Sequence, residues 1–221
     1  MQNDHADHEH DHHDHDPHAP AADDPHPPTE ARLTEQALRE LLIEKGVITA
    51  AMVNRQIEAM DGRNAALGAS IVAKAWIDHA FRDALMADPF PTIEKETGLK
   101  MVIVGAPELR VIPNEPGVHN VVVCTLCSCY PRMLLGMSPA WYKDADYRSR
   151  VVREPRAVLS EFGLSLPAET EIRVHDSTAD MRYLILPERP TGTEGWSREE
   201  LAALVTRDCM IGVAVPELPN V

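Results

Sequence analysis

The sequence has only four cysteines in 221 residues, three of them between positions 124 and 129, so it does not read as a secreted disulfide framework. It has no apolar run near the roughly 20 residues needed to span a bilayer, which argues against a membrane protein. Its first residues lack the basic start and apolar centre of a signal peptide, and a cytoplasmic location is expected. No basic stripe offsets the formal net charge of −14, so no nucleic-acid partner is expected. Neither an internal repeat nor a glycine-rich phosphate loop is found. Lysine and arginine are missing altogether from residues 1–28, which instead hold eight His, eight Asp or Glu and five Pro. Such a segment has almost nothing to bury and is expected to be a disordered tail. It carries −8 of the formal charge, and two readings stand side by side: a solvating tail, or a loose chelator whose imidazoles and carboxylates take up divalent metal.

Beyond the tail the chain is patterned. Leu33, Ala37, Leu38, Leu41 and Leu42 recur on one face of a helix that Gly46 stops. A second helix is expected after Thr49 with Val53, Ile57 and Met60 on its apolar side, a third over 65–77, and a shorter one from Asp78 to Pro89. β-branched runs then predict strands at Met101–Val104, Leu109–Ile112, Val121–Val123, Glu171–Val174, Tyr183–Leu186 and Ile211–Val215. Between them, short helical pieces are expected at Pro139–Tyr142 and Asp144–Val151, and a helix at Pro155–Phe162 with Pro at its start and Gly163 at its end. A further helix opens on the capping box Ser197-x-x-Glu200. The fold class expected is α+β: a helical arm over 29–97, then a mixed α/β domain over 98–221, layered α-β-β-α.

The three clustered cysteines fall where the strand Val121–Val123 ends, in Val123-Cys124-Thr125-Leu126-Cys127-Ser128-Cys129-Tyr130. A Cys-x-x-Cys-x-Cys run is too tight for its sulfurs to scatter, and thiolates are strongly donating ligands for transition metals, so the spacing predicts a metal claw. On spacing alone a structural zinc or iron–sulfur site is the commonest use, with Cys209 or His119 as the fourth ligand. Neither belongs to a second paired motif. A local disulfide would leave one thiol unpaired and a strained ring.

The residues between the cysteines are more specific than their spacing. The stretch at 123–130 resembles the metal-binding signature of the nitrile hydratase alpha subunit in its cobalt form; the iron form typically has Ser in place of Thr125 and Thr in place of Tyr130. The resemblance extends to Ala73-Lys74-Ala75-Trp76, Pro139-Ala140-Trp141-Tyr142-Lys143, residues 147–156, Leu186-Pro187-Glu188-Arg189-Pro190 and Val205-Thr206-Arg207-Asp208, and covers roughly residues 30–215. It implies that Cys124, Cys127 and Cys129 supply sulfurs, and the backbone nitrogens of Ser128 and Cys129 complete the shell of one Co(3+) per subunit. Fe(3+) or Zn(2+) are the alternatives. It further implies that Cys127 and Cys129 are oxidised to sulfinic and sulfenic acid, that Cys127, Ser128 and Cys129 form the catalytic group, and that water is added to a nitrile to give an amide. A β-type partner subunit whose arginines bind the sulfur oxygens is implied as well. A cobalt-delivery activator protein is a further expected partner.

One position departs from the signature. Cobalt nitrile hydratases usually follow the Tyr-Pro with Trp and Pro, whereas Arg132 and Met133 stand here. Thiocyanate hydrolase gamma subunits, built on the same claw, place Arg at that point, which keeps thiocyanate open as the substrate. Tyr130 and Arg132 are therefore the candidates for the substrate pocket. Cys209 is read as a buried small hydrophobe, His119 as a structural hydrogen-bonding group, and His175 as a packing residue. Arg148, Arg150, Arg153 and Arg156, which lie beside Asp144, Asp146 and Glu154, are read as partners in salt bridges.

Overall fold

Two parallel strand pairs bring the cysteine loop out of the interior. The computed structural model describes residues 30–53, 64–100 and 107–219; the expected tail, the positions Ile57 and Met60 of the second helix and the strand 101–104 lie outside these. The chain divides into two compact units, Met1–Thr49 and Ala50–Val221.

The first unit contains α1 (Glu30–Glu44), which presents Leu33, Leu38 and Leu41 to solvent at 52%, 56% and 44% exposure. Gly46 ends it at φ +68°, a value that costs glycine nothing.

The second unit resumes with helical residues at 50–53. It then runs through α2 (Ala66–Ile77), α3 (His79–Ala87) and α4 (Pro89–Thr97). The helix expected to stop at Pro89 does stop at Ala87, but Pro89 then opens α4, because its missing N–H and fixed φ suit a first helical turn. α2 is apolar nearly all round and buries Gly68, Ala69, Ile71, Val72, Ala73, Ala75 and Trp76; burial of a side chain such as Ile71 or Val72 contributes about 1.5–3 kcal/mol. Trp76 donates its indole N–H to the Pro187 carbonyl at 2.8 Å. Residues 66–97 thus share the core of the second unit with the strands.

β1 (Glu108–Pro113) pairs in parallel with β4 (Met181–Leu186), and β2 (Val118–Val123) pairs in parallel with β3 (Glu171–Asp176). β2 is buried from His119 through Val123, as expected of a strand covered on both faces. Beyond the cysteines lie α5 (Arg132–Leu135), α6 (Ala140–Lys143), α7 (Ala145–Arg150) and α8 (Pro155–Glu161). α5 carries no signal in the sequence. It rests on α2 at Gly68, where an added Cβ would lie 2.8 Å from Met210 Sδ, 2.9 Å from Leu135 Cδ2 and 3.0 Å from the Leu134 carbonyl. The chain ends through α9 (Arg198–Ala203), which opens on the expected capping box of Ser197 and Glu200, and α10 (Arg207–Ile211).

The strand expected at Ile211–Val215 is not formed. Thr206 caps α10 by accepting from the Cys209 N–H, and Gly212 ends it at φ +92°. The apolar residues Ile211 and Val213 are buried as a helix end and the turn after it, packed against β2. A β-branched run fits a buried helix end as well as a strand, because periodicity cannot separate the two over so few residues.

Candidate metal centre

β2 delivers Cys124 directly from the core. The Cys124 side chain is wholly buried, Cys129 is 9% exposed, and Cys127 is exposed. The Sγ atoms of Cys124 and Cys127 are 3.5 Å apart and those of Cys127 and Cys129 are 3.2 Å apart, and all three lie within 4.8 Å of one another. With metal–sulfur bonds of about 2.3 Å, sulfurs at right angles would sit about 3.3 Å apart and sulfurs at tetrahedral corners about 3.8 Å. The two neighbouring separations fall within the range that sulfurs sharing one metal ion occupy. The Cys127 N–H points back to Cys124 Sγ at 3.3 Å, which curls the loop around the sulfurs.

The thiols ionise unequally. Burial is the main reason the Cys129 thiol is pushed up to about 12, followed by its contact with Cys127. Cys127 is held below the ordinary thiol value, first by the hydrogen bond from Cys129 and then by that from Cys124. Because a metal must displace these protons, uptake should favour entry at the exposed Cys127.

Four side chains hold the loop's backbone. Asp176, which faces Val123 across the parallel register, accepts the Thr125 N–H at 2.9 Å and the Thr125 hydroxyl at 2.6 Å. Arg148 donates to the Thr125 carbonyl at 3.5 Å. From beneath, Tyr147 donates to the Val122 carbonyl at 2.7 Å and Tyr142 to the Cys129 carbonyl at 2.9 Å. Tyr142 and Tyr147 pack with Trp141, and Trp141 stacks edge-on against Phe162 at 4.7 Å. Sequence reasoning assigns none of these roles; the only signal is that Tyr142, Tyr147 and Arg148 lie in the family-like stretches. Asp176→Ala removes both bonds to Thr125 and is expected to increase loss of a metal held by the cysteines to a chelator about 10–100-fold. Asp176→Asn, which keeps one acceptor, should fall between it and the parent, and equal retention in all three would show that the carboxylate is not needed.

The remaining expected site residues divide. Ser128 lies in the loop, partly buried between Cys127 and Cys129. Tyr130 is 5% exposed and meets Tyr142 edge-on at 5.2 Å. Arg132 opens α5 and is exposed, and among the described residues its guanidinium has no hydrogen bond or ion pair. Leu126 stands at the tip of the loop with 83% of its surface exposed.

His119 is not available to a metal. Its Nε2 lies 2.7 Å from the Gly212 carbonyl and its Nδ1 3.2 Å from the Asn114 amide, and burial lowers its pKa, so it is a neutral donor and acceptor. Cys209 is 1% exposed beside the Thr206 hydroxyl, apart from the cluster. His175 contacts Asn120 at 2.8 Å and stacks on Tyr183. Arg150 pairs with Glu154 and Glu161, as a salt-bridge reading requires. Arg156 instead binds the carbonyls of Leu166, Pro167 and Thr170.

Residues 29–214 match the family model described as nitrile hydratase, alpha chain. The chain belongs to this family. The cobalt-containing nitrile hydratase subunit alpha of Pseudonocardia thermophila is 48% identical over 180 residues, covering 80% of this chain and 87% of that one. The thiocyanate hydrolase subunit gamma of Thiobacillus thioparus is 45% identical over 198 residues, covering 86% and 81%. Among solved structures, a recombinant thiocyanate hydrolase comprising partially modified cobalt centres superposes with a TM-score of 0.78 at 43% identity, covering 86% of this chain and 92% of that one. The nitrile hydratase match includes the cysteine loop, Asp176, the supporting tyrosines and α10. It leaves the His-rich residues 1–28 outside.

Proposed function

We propose that this chain is the metal-bearing subunit of a cobalt nitrile hydratase, which adds water to a nitrile C≡N and releases an amide. The observation that carries the reading is the convergence of the Cys124, Cys127 and Cys129 sulfurs within 4.8 Å at the mouth of a buried strand. With the backbone nitrogens of Ser128 and Cys129 they would hold Co(3+) and leave one position open. When bound, the ion supplies Lewis acidity towards a nitrile or a water in that position. The chain's own groups do the rest: Cys127 and Cys129, oxidised to sulfinic and sulfenic acid, offer oxygens that take a proton from water or attack directly, and Asp176 and Tyr142 keep the loop in register.

A partner completes this site. The exposed apolar residues of α1 and of the loop tip at Leu126 and the need of anionic sulfur oxygens for cationic donors support a β-type subunit, with an activator protein delivering cobalt. The α/β part from residue 98 is then a layered α-β-β-α support for the claw, and the assembly is cytoplasmic. The tail supports a metal-buffering role: deleting residues 1–28 should lower cobalt occupancy under limitation and leave the activity per bound cobalt unchanged. Equal occupancy across a cobalt titration in cells would leave only solvation.

Arg132 favours a second reading, thiocyanate hydrolysis. It is exposed and free of carboxylate partners among the described residues, and a cation there would attract an anion where Trp would wall a neutral nitrile. The test is metal analysis of the co-purified assembly followed by assay of a nitrile beside thiocyanate. Cobalt with amide formation is expected, and zinc on unmodified thiols would overturn the reading. Arg132→Trp is expected to reduce thiocyanate activity more than nitrile activity, by at least about 1 kcal/mol in the ratio. Equal effects would remove the case for thiocyanate.

A further inference from the structure

Along the strand that ends in the cysteine loop, three buried polar side chains form a closed network: Asn114, His119 and Asn120, exposed by 8%, 4% and 2%. The orientation of each follows from groups that have no choice. The backbone N–H of Asn120 only donates and lies 2.8 Å from Asn114 Oδ1, so that atom is the carbonyl end of the amide. Asn114 Nδ2 then points an N–H at His119 Nδ1, 3.2 Å away, and Nδ1 carries no proton. The ring proton sits on Nε2, where the Gly212 carbonyl accepts it at 2.7 Å. Asn114 is itself pinned, its backbone N–H donating to the Leu186 carbonyl at 2.9 Å. These bonds fasten the segment after β1, the body of β2 and the turn that ends α10 to one another.

A second proton on the ring has no place in this network. On Nδ1 it would face the Asn114 NH2, donor against donor. Turning that amide over sets the NH2 against the Asn120 N–H and against Asn120 Nδ2, which also donates to Asn114 Oδ1 at 3.1 Å. The conflict moves without being removed, and a buried donor left unpaired is costly. We propose that His119 is an acid-sensitive latch: a proton at Nδ1 unfastens the end of α10 from β2. His175 is the contrast within the same network. Asn120 Nδ2 donates to the Pro113 carbonyl at 2.9 Å, so Asn120 Oδ1 faces His175 Nε2 at 2.8 Å, and a second proton on His175 Nδ1 disturbs none of these bonds.

The surrounding charges do not cancel the effect. Glu115, Glu188 and Arg189 line a groove with His119. Opposite His119 on β3 stands Ile172, between Glu171 and Arg173, which pair with each other at 2.8 Å; Asp176 lies at the far end of that strand. β4 carries Arg182 near its start, and α10 carries Arg207 and Asp208 at the end away from Gly212. Burial holds the ring below the usual histidine value, against upward pulls from the Gly212 carbonyl and Glu188. The opened turn lets the ring titrate near the usual value of about 6.5 and the closed latch only below it, so the latch is complete above that value and fails as the pH falls through the depressed one.

The inference does not depend on the cobalt reading, and the full-length metal-free chain tests it. In a histidine-labelled chain the His119 ring, identified by its through-space signals to Asn114 and Gly212, should show the Nε2–H tautomer at neutral pH and take up its second proton only below about pH 5.5. Protection from hydrogen exchange at the Gly212 and Val213 amides, which donate to the Asp208 carbonyl at 2.9 and 3.0 Å, should fall about tenfold between about pH 7 and pH 5. His119→Gln keeps a donor for Gly212 and has nothing to titrate, so its protection should not change over that range. Asn114→Asp keeps the acceptor for Asn120 and offers Nδ1 an acceptor too; its ring should protonate above about pH 6.5 and the end of α10 stay closed in acid. A parent ring that titrates at the usual value, parent protection independent of pH, or acid opening that persists in both variants would each overturn the proposal. If neither variant folds, the ring titration and the exchange of the parent chain still decide it.

Discussion

Cys124→Ser is expected to abolish cobalt retention and turnover together. Cys124 is the wholly buried member of the cluster, fixed by the last residue of β2 and approached by the Cys127 N–H. Serine matches it in shape, but its hydroxyl does not ionise as a thiol does and its oxygen is a hard donor, so one of three sulfur contacts is lost without a replacement. Losing a group that merely orients a ligand costs about 10–100-fold in metal affinity; losing a ligand should exceed the upper figure. Cys209→Ser is the control. It changes the other buried cysteine, beside the Thr206 hydroxyl, and should cost roughly 1 kcal/mol of stability with cobalt content unchanged. Cobalt analysis and turnover on both variants provide the check, and full metal content in Cys124→Ser would remove the claw assignment.

The second large effect is on folding. Gly212→Ala is expected to destabilise the chain by more than about 3 kcal/mol, the sum of a left-handed backbone and a steric overlap. At φ +92° an added Cβ would lie 2.0 Å from the Asn120 carbonyl oxygen and 2.9 Å from Val121 Cα. These are backbone atoms of β2, so no side chain can turn aside; the end of α10 must lift away. Lifting it also breaks the 2.7 Å bond from His119 to the Gly212 carbonyl, and His119 lies on the strand that leads to Cys124. Gly163→Ala isolates the backbone part, because Gly163 has a similar φ of +83° with nothing within 4 Å of the added Cβ. It should cost only about 1–2 kcal/mol. Denaturant unfolding of the metal-free chains compares them, and equal losses would show that the close approach to β2 is not what requires glycine.

Most helices are legible in the sequence because their signals are local. Asp78 caps α3, Pro155 opens α8, Gly163 follows its end, and Ser197 with Glu200 forms the capping box of α9. The failures share a cause. Ile211–Val213 reads as strand by residue type, yet Thr206 and Gly212 bound a five-residue helix there; α5 is only four residues long and depends on the space that Gly68 leaves in α2. Short elements take their form from what they pack against, and propensity is overridden.

The candidate site divides in the same way. The three sulfurs were determined by the sequence alone, because ligands two and three residues apart cannot be far apart in space whatever the fold. The signature between them, and Arg132 as the departure from it, were likewise readable in chain order. Only the tertiary structure decided which sulfur is exposed, that His119 is occupied by Gly212 and Asn114, and that Asp176, Arg148, Tyr142 and Tyr147 hold the loop. Asp176 reaches Thr125 from 51 residues away, through the parallel pairing of β3 with β2. Such a contact leaves no local pattern, since it depends on register and burial that exist only once the strands have paired.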